Sequence, residues 1–393
     1  MNNFSRFIGI DIHKKLASFA TVDKEKNLLG QGTFLMAELA AWAKKNLTQE
    51  DAVVIEATGN SYYVYDLLIP YAGEVQIANP LAMHDRTRYR RKTDKADARN
   101  LAEQLAMGNV LPVWVPPKEA RAWRETVSHR KGLSEDITAI KNRMRSLLYR
   151  YGISYDSKEI LSDKALGFVQ ASDMPRGSKR AFQSYLGISA KIMEEIALID
   201  RELAKQSLVD PRCLNLMTMP GVKPQAAIIV TSAIGDISRF PNPKQLASYA
   251  GLVPSVQQSG EGIHYGSITK QGSSLLRWIM VEAAHAAAAT PGPLQDFFYR
   301  LYRRNQSYNK SIIALASKML RIIWHMLTYG VPYRHPRLSS LNLKFRSVIR
   351  TAFGRCPRLA GKQLAMAVLD LVPGASLGHS SSFPNFALDV IHR

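Results

Sequence analysis

The sequence predicts a mixed α/β amino-terminal domain, a helical middle and a mostly α-helical carboxy-terminal domain. Three observations carry that expectation. Short strand-like runs alternate with helical ones over roughly the first 110 residues, two narrow apolar seams follow, and helical periodicity returns over 272–289 and 308–329.

The strand-like runs are "RFIGIDI" (6–12), "LASFATVD" (16–23), "DAVVIEA" (51–57) and "EVQIA" (74–78), with helical character at 36–46 and 61–71. "LPVWVPPKEA" holds three prolines and reads as a linker, which closes a first domain at 1–115. In the middle region, 116–208, Leu133, Ile137, Ile140, Met144 and Leu147 are spaced 4-3-4-3, and Ile192, Ile196, Ile199 and Leu203 are spaced 4-3-4. Such alternation marks a coiled-coil stripe, satisfied equally by a hairpin within one chain or by a dimer. A third domain, 209–332, opens on "LMTMPGVKPQAAIIV", a glycine turn between helical segments. The remainder, 333–393, is basic, with scattered Pro, Gly and Ser, and is expected to be loosely ordered in part.

With 52 Lys+Arg against 32 Asp+Glu, the 393-residue chain carries a formal +20, which favours a polyanionic partner. No stretch reads as a membrane span or an export signal, so a cytoplasmic, nucleoid-associated protein is expected. Cys213 and Cys356 are isolated, which excludes a cysteine zinc site and suits a reducing compartment.

Four acids stand out. Asp11 closes the first strand in "GIDIHKK" and Glu56 closes another in "VIEATGN", at the strand ends where open α/β sheets build their sites. "RKTDKADARN" adds Asp94 and Asp97 at i, i+3, one face of a helix start that Thr93 can cap. From Arg86 to Arg99 seven Lys/Arg surround those two acids, and Arg86, Arg88, Arg90, Arg91 and Lys92 are candidate nucleic-acid contacts. Two carboxylates about 4 Å apart repel by roughly 4 kcal/mol at an effective dielectric near 20, so four together need a cation. An oxygen-only ligand set of Asp11, Glu56, Asp94 and Asp97 points to Mg²⁺ or Mn²⁺.

These motifs resemble the DEDD tetrad of the RuvC-like domain in insertion-sequence transposases of the one-ten family, which also includes the Piv-type pilin-gene invertase. The resemblance continues through "MPGVKPQAAIIVTSAIGDISRFPNPKQLASYAGLVP" and "QQSGEGIHYGSITKQGSSLLRWIMVEAA", similar to the family's serine-bearing transposase domain. It implies an RNase H/RuvC-like fold for the first domain and a nucleophilic serine at Ser259. Ser255, Ser267 and Ser273 are rivals in the same stretch. Lys270 and Arg277 are candidate phosphate clamps. "MPGVKPQAA" resembles a helix-hairpin-helix with Lys223 at its turn, although a plain helix connection accounts for it as well.

The resemblance implies excision and insertion of an insertion sequence by strand exchange through a serine–DNA link. Its implied partners are the element ends and target DNA, a non-coding guide RNA, and further copies of the chain in a dimer or tetramer. The alternative is a metal-dependent junction-resolving nuclease without a serine nucleophile. An inactive, end-binding repressor is disfavoured because all five site residues are present. An actin-like sugar kinase is disfavoured because no phosphate-cradling glycine loop is found.

Overall fold

A computed structural model describes residues 4–79, 93–155, 159–259, 262–357 and 359–369, without the side chains of 257–265. Arg86, Arg88, Arg90, Arg91 and Lys92 lie outside the described residues. The chain divides into two compact units, Met1–Val115 and Pro116–Arg393.

The first unit is built on a six-stranded sheet of order β3-β2-β1-β4-β5-β6. Strand β1 (Arg6–Ile12) is central, because "RFIGIDI" is apolar enough to be covered on both faces. It pairs antiparallel with β2 (Leu16–Val22), which pairs antiparallel with β3 (Leu28–Leu35). On its other side β1 runs parallel to β4 (Asp51–Glu56), and β4 runs parallel to β5 (Glu74–Ala78). The two-residue β6 (Pro112–Val113) closes the far edge, antiparallel to β5, inside the proline-rich stretch expected to be only a linker.

This is the mixed sheet expected of an RuvC-like domain. Strand β3 is the surprise. Its glycines and exposed leucines dilute any alternation, and its strand state follows from pairing with β2.

Side-chain alternation assigns the two faces. Ile8, Ile10, Val53 and Ile55 face α1 (Leu39–Asn46) and α2 (Ser61–Leu68). Ala52, Val54 and Ala78 face α3 (Asp94–Ala106), which contributes Leu101 and Leu105. Gly9 lets α3 lie against β1, since a Cβ there would collide with the Ala98 carbonyl.

The second unit begins with two long helices, α4 (Lys118–Tyr149) and α6 (Arg176–Val209), joined through α5 (Asp163–Ala171). They pack against each other antiparallel. Arg130 donates to both carboxylate oxygens of Asp200 at 2.8 and 3.0 Å, while Ile140, Met144 and Leu147 share a core with Phe182 and Val169. The first apolar seam is therefore used within the chain.

Beyond them α7 (Pro211–Leu216) and α8 (Pro224–Ile234) flank the glycine turn, followed by α9 (Pro243–Tyr249). A β-hairpin, β7 (Pro254–Ser259) and β8 (Gly262–Ile268), leads into α10 (Ser274–Ala289), α11 (Pro293–Asn305) and α12 (Tyr308–Tyr329). Helix α12 is long and apolar enough to cross a membrane by composition, but half of it is buried in this unit's core through Leu315, Met319 and Ile323. Helices α13 (Leu338–Phe353) and α14 (Ala360–Leu369) insert Phe345, Ile349, Leu364 and Val368 into the same core. The described part of the basic terminal stretch is thus packed protein, and residues 370–393 lie outside the described residues.

Candidate active site

The site forms where the carboxyl ends of β1 and β4 meet the amino end of α3. The parallel register pairs Ile10 with Ile55, so Asp11 and Glu56 follow as neighbours on adjoining strands. Both have the parity of the α3 face, since Ala52, Val54 and Glu56 alternate together, as do Phe7, Gly9 and Asp11.

Helix α3 is started by Thr93, whose hydroxyl accepts from the Ala96 N–H at 3.3 Å. That cap puts Asp94 and Asp97 in the first turn. There the helix dipole favours negative charge. Asp97 is half-buried and Asp94 exposed.

Sequence reasoning missed His13. Its Nε2 lies 3.2 Å from Asp11 Oδ2 and 3.3 Å from Asp94 Oδ2. Ligand atoms of Asp11, His13 and Asp94 all fall within 4.8 Å of one another, a group able to hold a metal ion. An imidazole thus stands beside two of the carboxylates expected from sequence. A signal was present: in "DIH" strand alternation returns residue 13 to the side of residue 11.

Asp11 is 7% exposed. Burial pushes its carboxyl above the ordinary range, the His13 imidazole pulls it back, and the charges of Asp94 and Asp97 push it up again. Asp94 and Asp97 thus act electrostatically on Asp11, as expected of a shared site. Glu56 belongs to the same sheet end by register and makes an interaction of its own.

In the second unit, Ser259 is the last residue of β7, opposite Gly262 in the hairpin register. Two of its rival serines have structural partners. Ser255 Oγ donates to the Ser267 carbonyl at 3.0 Å, and Ser273 caps α10 by accepting from the Leu276 N–H at 3.2 Å. Arg277 Nη1 donates to the carbonyls of Ala250 and Lys270 at 3.1 and 3.0 Å, tying the loop before α10 together. Lys270 and Lys223 are exposed.

Comparison with known proteins agrees with these two halves. Residues 8–153 match the DEDD transposase family of IS110 type, and residues 213–300 match the family described as "Transposase IS116/IS110/IS902 family". The chain is 26% identical to the y4qE protein of Sinorhizobium fredii, over 92% of its own length and 88% of the relative's. The transposase for insertion sequence element IS1111A of Coxiella burnetii is 24% identical, over 84% and 91% of the two chains. The pilin gene-inverting protein of Moraxella bovis is 28% identical, over 83% and 97%. The chain carries both transposase domains of the IS116/IS110/IS902 type, those of an enzyme acting on DNA.

Proposed function

We propose that the chain moves its own insertion sequence by strand exchange, with Asp11, Glu56, Asp94 and Asp97 holding Mg²⁺ or Mn²⁺ and Ser259 as the nucleophile. The observation that carries the metal half is the cluster of Asp11, His13 and Asp94, with Asp97 bearing electrostatically on Asp11. Carboxylate oxygens crowded over a sheet end, one of them buried, are a donor set suited to a hard divalent cation. When bound, such an ion polarises a phosphodiester and stabilises the charge that develops on its oxygens.

The protein's own residues do the rest. The Ser259 hydroxyl attacks phosphorus, a Ser–O–P bond forms, and the displaced sugar oxygen leaves and takes up a proton while the serine gives one up. Bond energy is conserved in the phosphoserine link, so a different strand can be rejoined without a separate energy source. The basic stretch from Arg86 to Lys92 and exposed Lys223 and Lys270 supply the cations that neutralise phosphates. An RNA encoded by the element is the guide in this reading, suited to the +20 chain, and a dimer or tetramer in the cytoplasm is the working assembly.

A Ser259→Ala variant tests the chemistry. Expected is loss of the covalent protein–DNA adduct on denaturing gels, with Mn²⁺ binding unchanged. Full strand transfer by that variant refutes the serine, whereas DNA cleavage with neither adduct nor rejoining favours a water-driven nuclease.

A further inference from the structure

Between α7 and α8 the chain turns tightly at "MPGVK". Gly221 has φ +83°, and a Cβ there would collide with the carbonyl of Ala283, so the turn is seated directly on α10. One consequence is that the carbonyl oxygens of Met217, Met219 and Val222 converge. The ammonium of Lys344, on α13, donates to them at 2.6, 2.8 and 3.2 Å. All three of its protons are used.

Beside this arrangement lies a cleft of about 200 Å³. Pro220, Gly221 and Lys223 wall one side, the Gly292–Pro293 start of α11 another, and residues 333–344 the third. His335, Arg337 and Ser340 stand on that third wall, and among the described residues no carboxylate lines the cleft. Arg337 and Lys223 are exposed. Burial, and then the charge of Lys223, push the Lys344 ammonium down to about 7, and an anion seated in the cleft favours its charged form.

We propose that this cleft holds a backbone phosphate of a nucleic acid, with Lys223 and Arg337 as its donors and Lys344 as the charge that makes the turn accept an anion. Without Lys344, three carbonyl oxygens would present their negative ends beside the cleft and repel a phosphodiester. With it, those three carbonyls are bonded and the turn gains a positive charge. The stretch after α12 therefore belongs to the nucleic-acid surface, supplying half of a site whose other half is the glycine turn. The inference rests on the family's action on DNA and is independent of the serine and of the metal.

The test measures binding of the full chain to a short labelled DNA duplex and to a labelled RNA hairpin by fluorescence anisotropy across a salt series. Lys223→Gln combined with Arg337→Gln is compared with Lys44→Gln combined with Lys45→Gln, an equal charge loss on exposed α1. Expected for the cleft variant is a log–log salt slope shallower by about 1 for each phosphate it no longer neutralises. The α1 variant keeps the wild-type slope. A shallower slope with the duplex alone assigns the cleft to DNA, and with the hairpin alone assigns it to RNA. Wild-type slopes for the cleft variant with both probes, or equal changes in the two variants, overturn the site. Lys344→Met leaves the three carbonyls bare and is expected to weaken binding at low salt as far as the double variant. A folded Lys344→Met protein that binds like wild type overturns the role of Lys344. Strand-transfer activity enters none of these readouts, so they can fail while the serine mechanism stands.

Discussion

The two ends of β1 and β4 each bury an aspartate, and they treat it oppositely. At the amino ends, Asp51 is fully buried, and Arg6 on the neighbouring strand donates to both of its oxygens at 2.7 Å. The Thr48 N–H adds a third bond at 2.6 Å. At the carboxyl ends, Asp11 is nearly as deep but has one imidazole for company and two more acids beside it. The first end is closed by pairing: a guanidinium on the neighbouring strand grips both oxygens of the carboxylate. Among the described residues, the second sets three acids around one imidazole at Asp11. An end built for stability pairs its charges, whereas an end built to take a cation leaves the pairing undone.

The strongest way to break that contrast is to remove an acid from the open end. Asp94→Ala and Asp97→Ala should abolish strand exchange, measured as recombinant product from a donor and target plasmid pair, while duplex binding stays near wild type. Folding should hardly change, since Asp94 is exposed and Asp97 lies in a solvated first turn. If either variant recombined at the wild-type rate, the open end would be only a helix start with an acidic first turn.

At the closed end the expectation reverses. Arg6→Ala strands a fully buried carboxylate, which costs about 3 kcal/mol, the lower part of the range for an unpaired buried charge, because Arg6 itself reaches solvent. Chemical denaturation should show this as a lower midpoint with an unchanged slope. Metal affinity should be untouched. An Arg6→Ala protein as stable as wild type would remove one side of the comparison.

Only the open end of this contrast was legible from residues alone, for a physical reason. Strand ends carrying a lone acid, as in "GIDIHKK" and "VIEATGN", stand out because the residues before them are apolar enough to be read as buried. The Asp94–Asp97 pair stands out because the helix period places both on one side. Pairing across sequence distance was not legible. Strand β3, with Gly30 and Gly32, exists because β2 offers it a ladder, and β7 and β8 emerge from a polar, glycine-bearing stretch for the same reason. Arg277 looks like a phosphate clamp in sequence, yet the fold spends part of its guanidinium on two carbonyls. Lys344 sits in a stretch whose composition suggests looseness, and only the fold reveals what its ammonium caps. His13 was hidden differently: the chemistry of four acids made nitrogen look superfluous.

The smallest expected effect sharpens the comparison most, because it isolates the surplus charge itself. Burial raises the Asp11 carboxyl above its unfolded value, so the folded protein holds a proton there more tightly than the unfolded chain does. Stability of the metal-free protein should therefore fall as pH rises from the unfolded carboxylate range through the raised folded value, the reverse of a salt-bridged acid. Asp11→Asn removes that penalty, so the metal-free variant should melt slightly higher than wild type at neutral pH. Added Mn²⁺ should raise the wild-type melting temperature at neutral pH, by about 2.7 kcal/mol of stabilisation at a hundredfold excess over Kd. That gain should vanish in Asp11→Asn, and in wild type once the pH drops low enough to protonate Asp11. His13→Ala separates the two roles open to the imidazole. Losing it removes the partner that pulls the Asp11 carboxyl down, so the Asp11 resonance in a carbon-13 NMR titration should move to higher pH. A Mn²⁺ affinity lowered roughly tenfold would mark an orienting partner for the acids, whereas an unchanged affinity would leave His13 as a gate that yields its place to the ion. If Asp11 in His13→Ala titrated at or below its wild-type pH, the imidazole would not be compensating the surplus charge, and the open end would owe its acidity to something other than the Asp11–His13–Asp94 cluster.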